Sequence, residues 1–112
     1  MITSYNFTKK DEVNSVSATP LQKFKDEVLT LKGAAITERA DQETGEMKKV
    51  AILVTDEHGT LTSISGTVIN GLDLIIDYMT DMEEEAAQNG VQVKVKSNRS
   101  NAGREFLTLE LL

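Results

Sequence analysis

Apolar and polar residues alternate with a period of two over most of the chain, and that period is interrupted once by a helical one. Leu29, Leu31, Gly33, Ala35 and Thr37 alternate with Thr30, Lys32, Ala34, Ile36 and Glu38, which predicts a strand over Leu29–Arg39. Val50, Ile52 and Val54 alternate with Lys49, Ala51, Leu53 and Thr55, so Lys48–Thr55 reads as a strand with one apolar and one half-apolar face. Thr60–Ser65 follows as a short strand whose apolar members are Leu61 and Ile64. From about Thr67 the spacing changes. Val68, Ile69, Leu72, Ile75, Ile76, Met79 and Met82 recur at three- and four-residue steps, the stripe of a helix packed on a core and running to residue 88. Val91, Val93 and Val95 then restore the two-residue period in a strand over Val91–Ser97. A last strand, Arg104–Leu112, turns Leu107, Leu109 and Leu111 inward and leaves Phe106, Thr108 and Glu110 on the opposite face.

The connections fit this reading. Asp41–Glu46 and Asp56–Gly59 are polar, glycine-containing turns, and Asn89-Gly90 ends the helix as a left-handed cap would. Gly33 inside a strand predicts a bulge or sharp bend. Residues 1–19 are polar and read as an arm or an early edge strand. Thr19-Pro20-Leu21-Gln22 resembles a capping box with proline at the first helical position, which predicts a short helix over 20–28, in competition with a strand beginning at Phe24. The fold class is therefore mainly β with one long helix, in the order β-β-β-α-β-β, preceded by a polar N-terminal extension. Five strands with the helix between the third and fourth is the order of the oligonucleotide-binding (OB) barrel, a small, partly open barrel. The expected organisation is a 1–19 arm and one OB-like domain over 20–112.

At 112 residues, with 39% hydrophobic and 27% charged residues, the composition is that of a single globular domain. No apolar run approaches the roughly 20 residues needed to span a bilayer. The first residues lack a basic start followed by an apolar stretch, so no secretory signal is expected. The absence of cysteine excludes disulfides and thiolate metal sites, and a cytoplasmic location is expected. The net charge of −6 at first opposes a nucleic-acid partner. Its distribution changes that. Asp73, Asp77, Asp81, Glu83, Glu84 and Glu85 carry the whole excess, and outside them acidic and basic residues balance at 12 each.

Catalytic chemistry finds little to work with. There is one histidine, no cysteine and no hydroxyl in a nucleophile-elbow setting, so an enzyme is not expected. His58 reads as a solvated turn residue. Asp56, Glu57 and His58 are adjacent and would point in different directions, so no metal site or cofactor is expected. The best candidate site is the segment from Lys94 to Phe106. Lys94 and Lys96 share one strand face, a Ser/Asn-rich loop carries Arg99, and Arg104 and Phe106 return on the next strand. Lysine and arginine supply phosphate contacts, and Phe106 offers a face on which a base can stack. Arg39, Lys48 and Lys49, at the ends of the strands flanking Asp41–Glu46, are further candidates, although that loop is itself acidic. Aromatic residues are few. Phe24 is assigned to the core, Tyr78 leans toward Asp77 and Asp81, and Tyr5 and Phe7 sit on the arm beside Lys9 and Lys10.

Several short motifs lie within Thr37–Leu112: Thr44-Gly45-Glu46 in a hairpin, an apolar strand into Glu57-His58-Gly59-Thr60, a Ser/Thr-rich helix entry at Ser63–Val68, and Ala102-Gly103-Arg104-Glu105-Phe106-Leu107. In these the chain resembles small single-stranded DNA-binding proteins of phages and mobile elements of Gram-positive bacteria. The resemblance implies an OB barrel, sequence-tolerant binding, and a role in replication or recombination, with Lys94, Lys96, Arg99, Arg104 and Phe106 as contacts. The expected partner is single-stranded DNA, with RNA left open. Two other readings compete: a protein-interaction module or inhibitor acting through the acidic helix 68–88, and a subunit that self-associates through edge strands.

Overall fold

A computed structural model describes residues 3–112; Met1 and Ile2, at the start of the arm, lie outside the described residues. Seven strands and three helices are present among the described residues: β1 (Thr3–Tyr5), α1 (Lys9–Ser15), β2 (Thr19–Pro20), β3 (Val28–Ala40), β4 (Met47–Thr55), β5 (Gly59–Ser63), α2 (Gly66–Asp81), α3 (Glu83–Asn89), β6 (Val91–Arg99) and β7 (Glu105–Leu111). The molecule is mainly β, and its sheet curls into a half-barrel with the strand order β2-β5-β4-β3-β6-β7. The five long strands and the helix between the third and fourth follow the expected order. The expected total of five strands and one helix is corrected in two places.

The first correction is at the N-terminus. Within the polar stretch, β1 pairs antiparallel with β3, and β2 pairs parallel with β5. Between them Thr8 caps α1 in a reciprocal box with Asp11, so a helix of only seven residues is held at its start. The helix expected over 20–28 shrinks to a single 3-10 turn at Leu21–Phe24, because Val28 is already committed to β3 opposite Lys94.

The second correction is in the long helix, which breaks at Met82 (φ −100°, ψ 34°). An unbroken helix would add Glu85 four residues beyond Asp81, lengthening the like-charge series that Asp77 and Asp81 begin. The break instead places Glu83, Glu84 and Glu85 in the first turn of α3, where the positive end of a helix dipole favours them. It also buries Ala86, and the Glu83 carbonyl accepts a 3.0 Å hydrogen bond from the Tyr5 hydroxyl.

β3 is the spine of the sheet. Its first residues pair with β6 (Val28 opposite Lys94, Leu31 opposite Val91), and its remainder pairs with β4 out to Ala40 opposite Met47. The register shifts between Leu31 and Gly33, where the sequence predicts a bulge. This bulge switches parity. Leu29 and Leu31 face the main core before it, and Ala34 and Ile36 do so after it, so the single alternation expected across Leu29–Thr37 does not hold. Gly33 also lets β1 in: a Cβ there would lie 2.5 Å from the Asn6 carbonyl oxygen. The main core packs Leu53, Leu61, Val93, Val95 and Leu107 against Val68, Leu72, Ile76 and Met79 of α2. A smaller cluster of Ala35, Val50 and Ile52 lies on the other face of the sheet, with Phe7 against it.

The β4–β5 turn is a clasp on the start of β3. The Glu57 carboxylate accepts 2.7 Å hydrogen bonds from both the amide and the hydroxyl of Thr30, and Asp56 faces Lys32 at 3.6 Å. The Thr30 amide holds the Glu57 carboxyl below the usual range, against partial desolvation, with help from the Thr30 hydroxyl. A folded-state pKa below the unfolded value (about 4.3 for glutamate) contributes stability that is fully present above that value and lost as the pH falls through the lowered one. The expected result is a thermal midpoint constant from pH 8 to 5 and falling below about pH 4. Glu57→Gln should lower the neutral-pH midpoint by the equivalent of about 1 kcal/mol, a charged hydrogen bond discounted for solvent exposure, and flatten the acid limb. Circular-dichroism melts across pH check both.

Candidate nucleic-acid interface

β6 and β7 form a twisted antiparallel ribbon with two different faces. Val93, Val95 and Leu107 point into the core, so the period of two puts Lys94, Lys96 and Asn98 on the outside. The register sets Lys94 opposite Glu110, Lys96 opposite Thr108 and Asn98 opposite Phe106. Lys96 pairs with Glu110 at 3.4 Å, both half exposed, and Asn98 donates a 2.9 Å hydrogen bond to the Thr108 hydroxyl. Lys94 has no ion-pair partner among the described residues. The tip is a tight turn: the Ser100 amide donates to the Arg104 carbonyl, the Gly103 amide donates to the Ser100 carbonyl, and Gly103 takes a φ of +80°. Arg99 and Arg104 flank this turn and are exposed.

The structure thus brings Lys94, Lys96 and Phe106 onto one solvated face with Arg104 at its end. Arg99 sits opposite Glu105, on the other parity of the ribbon. The Glu105 carboxyl is lowered from its ordinary range chiefly by the Lys25 ammonium, against slight desolvation, with Ser97 and Arg99 adding to it. Lys25, which the sequence did not single out, is therefore engaged with Glu105.

Arg39, Lys48 and Lys49 form a separate group. They lie at the far end of β3, eleven residues along it from the Val28–Lys94 pair, or about 36 Å of extended strand before the bend at Gly33 is counted. Two of the three are already occupied. The Arg39 guanidinium donates to the Ser15 carbonyl and hydroxyl, and Lys48 binds Asp41 at 3.0 Å. The Lys48 ammonium, followed by the Glu43 and Thr44 amides, keeps the Asp41 carboxyl below its ordinary range. Lys49 is exposed and stands opposite Glu38.

His58 lies in a turn and is exposed, as expected from its neighbours, but it has partners the sequence did not indicate. Its ring stacks on Phe24 with centroids 4.0 Å apart and planes 22° apart, and its Nε2 lies 2.9 Å from the Glu27 carboxylate. Asp56, Glu57 and His58 reach three different partners, and no group of three potential metal-binding side chains occurs among the described residues. No helix there is long and apolar enough to cross a membrane.

A groove of about 480 Å³ opens beside the ribbon, between Pro20, Leu21 and Gln22 on one side and Glu105, Phe106 and Leu107 on the other, with Thr62–Ser65 as its floor. Sequence reading missed it, because its walls come from opposite ends of the chain and meet only where the half-barrel fails to close. Comparison of the chain with protein-family models, with curated proteins and with solved structures finds no match.

Proposed function

We propose that this protein binds single-stranded DNA, without strong sequence preference, on the outer face of the β6–β7 ribbon. The carrying observation is the juxtaposition of Lys94, Lys96 and Phe106 on one solvated face, with Arg104 at its tip. Ammonium and guanidinium groups meet phosphates there, and the half-buried Phe106 ring offers a face on which a base can stack. The half-barrel, with its helix between the third and fourth long strands, supports an OB barrel to which β1 and β2 are N-terminal additions. The biological setting that goes with this reading is replication or recombination of a phage or mobile element, as the resemblance of Thr37–Leu112 implies.

Fluorescence anisotropy of a labelled oligo-dT of about 30 nucleotides, beside duplex DNA of equal length, tests the proposal. Binding is expected for the single strand only, weakening with salt at a log–log slope near −0.7 per phosphate contact. With so few rings, an affinity near micromolar is expected unless binding is cooperative. Absence of binding at tens of micromolar protein in low salt would refute it.

One observation favours a second reading, a protein partner on the acidic helix. Leu74 is 71% exposed and Tyr78, one turn later, 41%, both among Asp73, Asp77 and Asp81. An apolar pair ringed by carboxylates fits a basic groove on another protein. Under that reading Leu74→Ala with Tyr78→Ala abolishes partner capture and leaves oligo-dT binding unchanged.

A further inference from the structure

We propose that the groove between β2 and β7 shelters one unstacked nucleobase of the bound strand; this rests on the single-strand reading and assigns a pocket within it. Phe106 belongs to both surfaces, opposite Asn98 on the ribbon face and in the wall of the groove. A strand whose phosphates track Lys96 and Arg104 therefore passes the groove mouth. The volume of about 480 Å³ falls within the range of small-molecule pockets. Its apolar lining is Pro20 and Phe106 in the walls and Ile64 in the floor, and Ile64 lies 71% exposed. Of its polar lining, Ser63 and Ser65 are hydrogen-bonded locally and Glu105 pairs with Lys25, whereas the Gln22 amide and the Thr62 hydroxyl make no side-chain hydrogen bond among the described residues. Apolar faces with unspent donors and acceptors at the edge suit a flat heteroaromatic ring.

The other occupants of such a gap fit worse. An added peptide strand needs a ladder of backbone donors and acceptors. On one side Pro20 has no N–H, and on the other the Leu107 carbonyl already accepts the Thr67 hydroxyl. A phosphate fits no better: the Glu105 carboxylate lines the groove, no cation among the described residues does, and Lys25 is spent on Glu105. A neutral base meets neither obstacle.

The chain contains no tryptophan, so Phe106→Trp places a single indole fluorophore in the groove wall. The probes are oligo-dT and an abasic oligomer of the same length. The indole emission of this variant is expected to be quenched by oligo-dT and not by the abasic strand. Phe106→Leu, which keeps the apolar bulk, should weaken oligo-dT binding by about five- to 150-fold, the loss of one stacked base, and leave the abasic affinity unchanged. Ile64→Glu, at an exposed position, should weaken oligo-dT binding by at least about tenfold, with folding checked by circular dichroism. If oligo-dT binds while the indole emission stays constant and neither of the other substitutions matters, the pocket is refuted and the single-strand reading stands. If oligo-dT does not bind at all, both fall. If the indole emission shifts with protein concentration alone, the groove is a contact between copies of this chain and the assignment is overturned.

Discussion

Gly90→Ala is expected to lower the thermal midpoint by roughly 12 °C, the equivalent of about 3 kcal/mol in a domain of this size. Gly90 joins α3 to β6 with φ 70° and ψ −177°, a region essentially closed to residues with a side chain. It is not the left-handed cap that Asn89-Gly90 predicts: φ is positive, but ψ is extended, so the chain leaves the helix directly as a strand. A Cβ would also lie 2.7 Å from the Thr30 methyl and 2.8 Å from the Leu31 carbonyl oxygen. Both contacts are on β3, the strand with which β6 must pair, so the space cannot be found without shifting the sheet. Gly103→Ala is the control. It has φ +80° but no atom within 4 Å of the added carbon, and about 1 kcal/mol is expected. Equal losses in the two variants, measured by thermal denaturation, would show that the close approach to β3 contributes nothing. Because β6 starts at Val91, a damaged Gly90 link should also misplace Lys94 and Lys96 and weaken oligo-dT binding.

Neutralising the ribbon carries the largest expected functional effect. Lys94→Gln, Lys96→Gln, Arg99→Gln and Arg104→Gln together should weaken oligo-dT binding by about 100-fold at roughly 50 mM salt and reduce the salt slope by about 2, three contacts on the outer face at roughly 0.7 each, with Arg99 on the other parity adding none. Folding should be little affected, since the only ion pair lost among the described residues is the exposed Lys96–Glu110 contact. Changing Arg39, Lys48 and Lys49 instead should leave the slope nearly unchanged, because Ser15 and Asp41 already hold the first two. Salt titrations of the quadruple and the triple variant compare the two ends of β3 directly. Equal slopes for both would refute the assignment of the interface to the β6–β7 ribbon.

Much of the framework can be read along the chain because it rests on local periodicity. Alternating Val91, Val93 and Val95 make β6 whatever lies beside it, and the spacing from Val68 to Met79 makes α2 an amphipathic helix in any fold that offers it a core. Gly33 announces a bend, since an isolated glycine within a strand pattern has few other uses. Lys94, Lys96 and Phe106 fall on one face by the same arithmetic of two.

Other features depend on partners far away in sequence, and no local pattern announces them. Residues 3–5 and 19–20 become strands only because the far edge of β3 and the edge of β5 stand open to receive them. The break at Met82 takes Glu85 out of line with Asp81 and gives Glu83, Glu84 and Glu85 a new first turn that stabilises them. His58 remains exposed, but one face of its ring is covered by Phe24 and its edge meets Glu27, neither of which is a sequence neighbour. Which cations are spent is also a tertiary matter. Lys48 and Lys96 look alike as residues, but the first is bound to a carboxylate fixed by two backbone amides, and the second shares an exposed pair with Glu110. By itself, then, the sequence determined the five long strands, the amphipathic stretch of α2 and the spacing that sets Lys94 and Lys96 on one face, since each follows from the spacing of neighbours. Only the tertiary structure decided where the sheet stays open, which charges remain available and where the groove lies, because those depend on which edges meet.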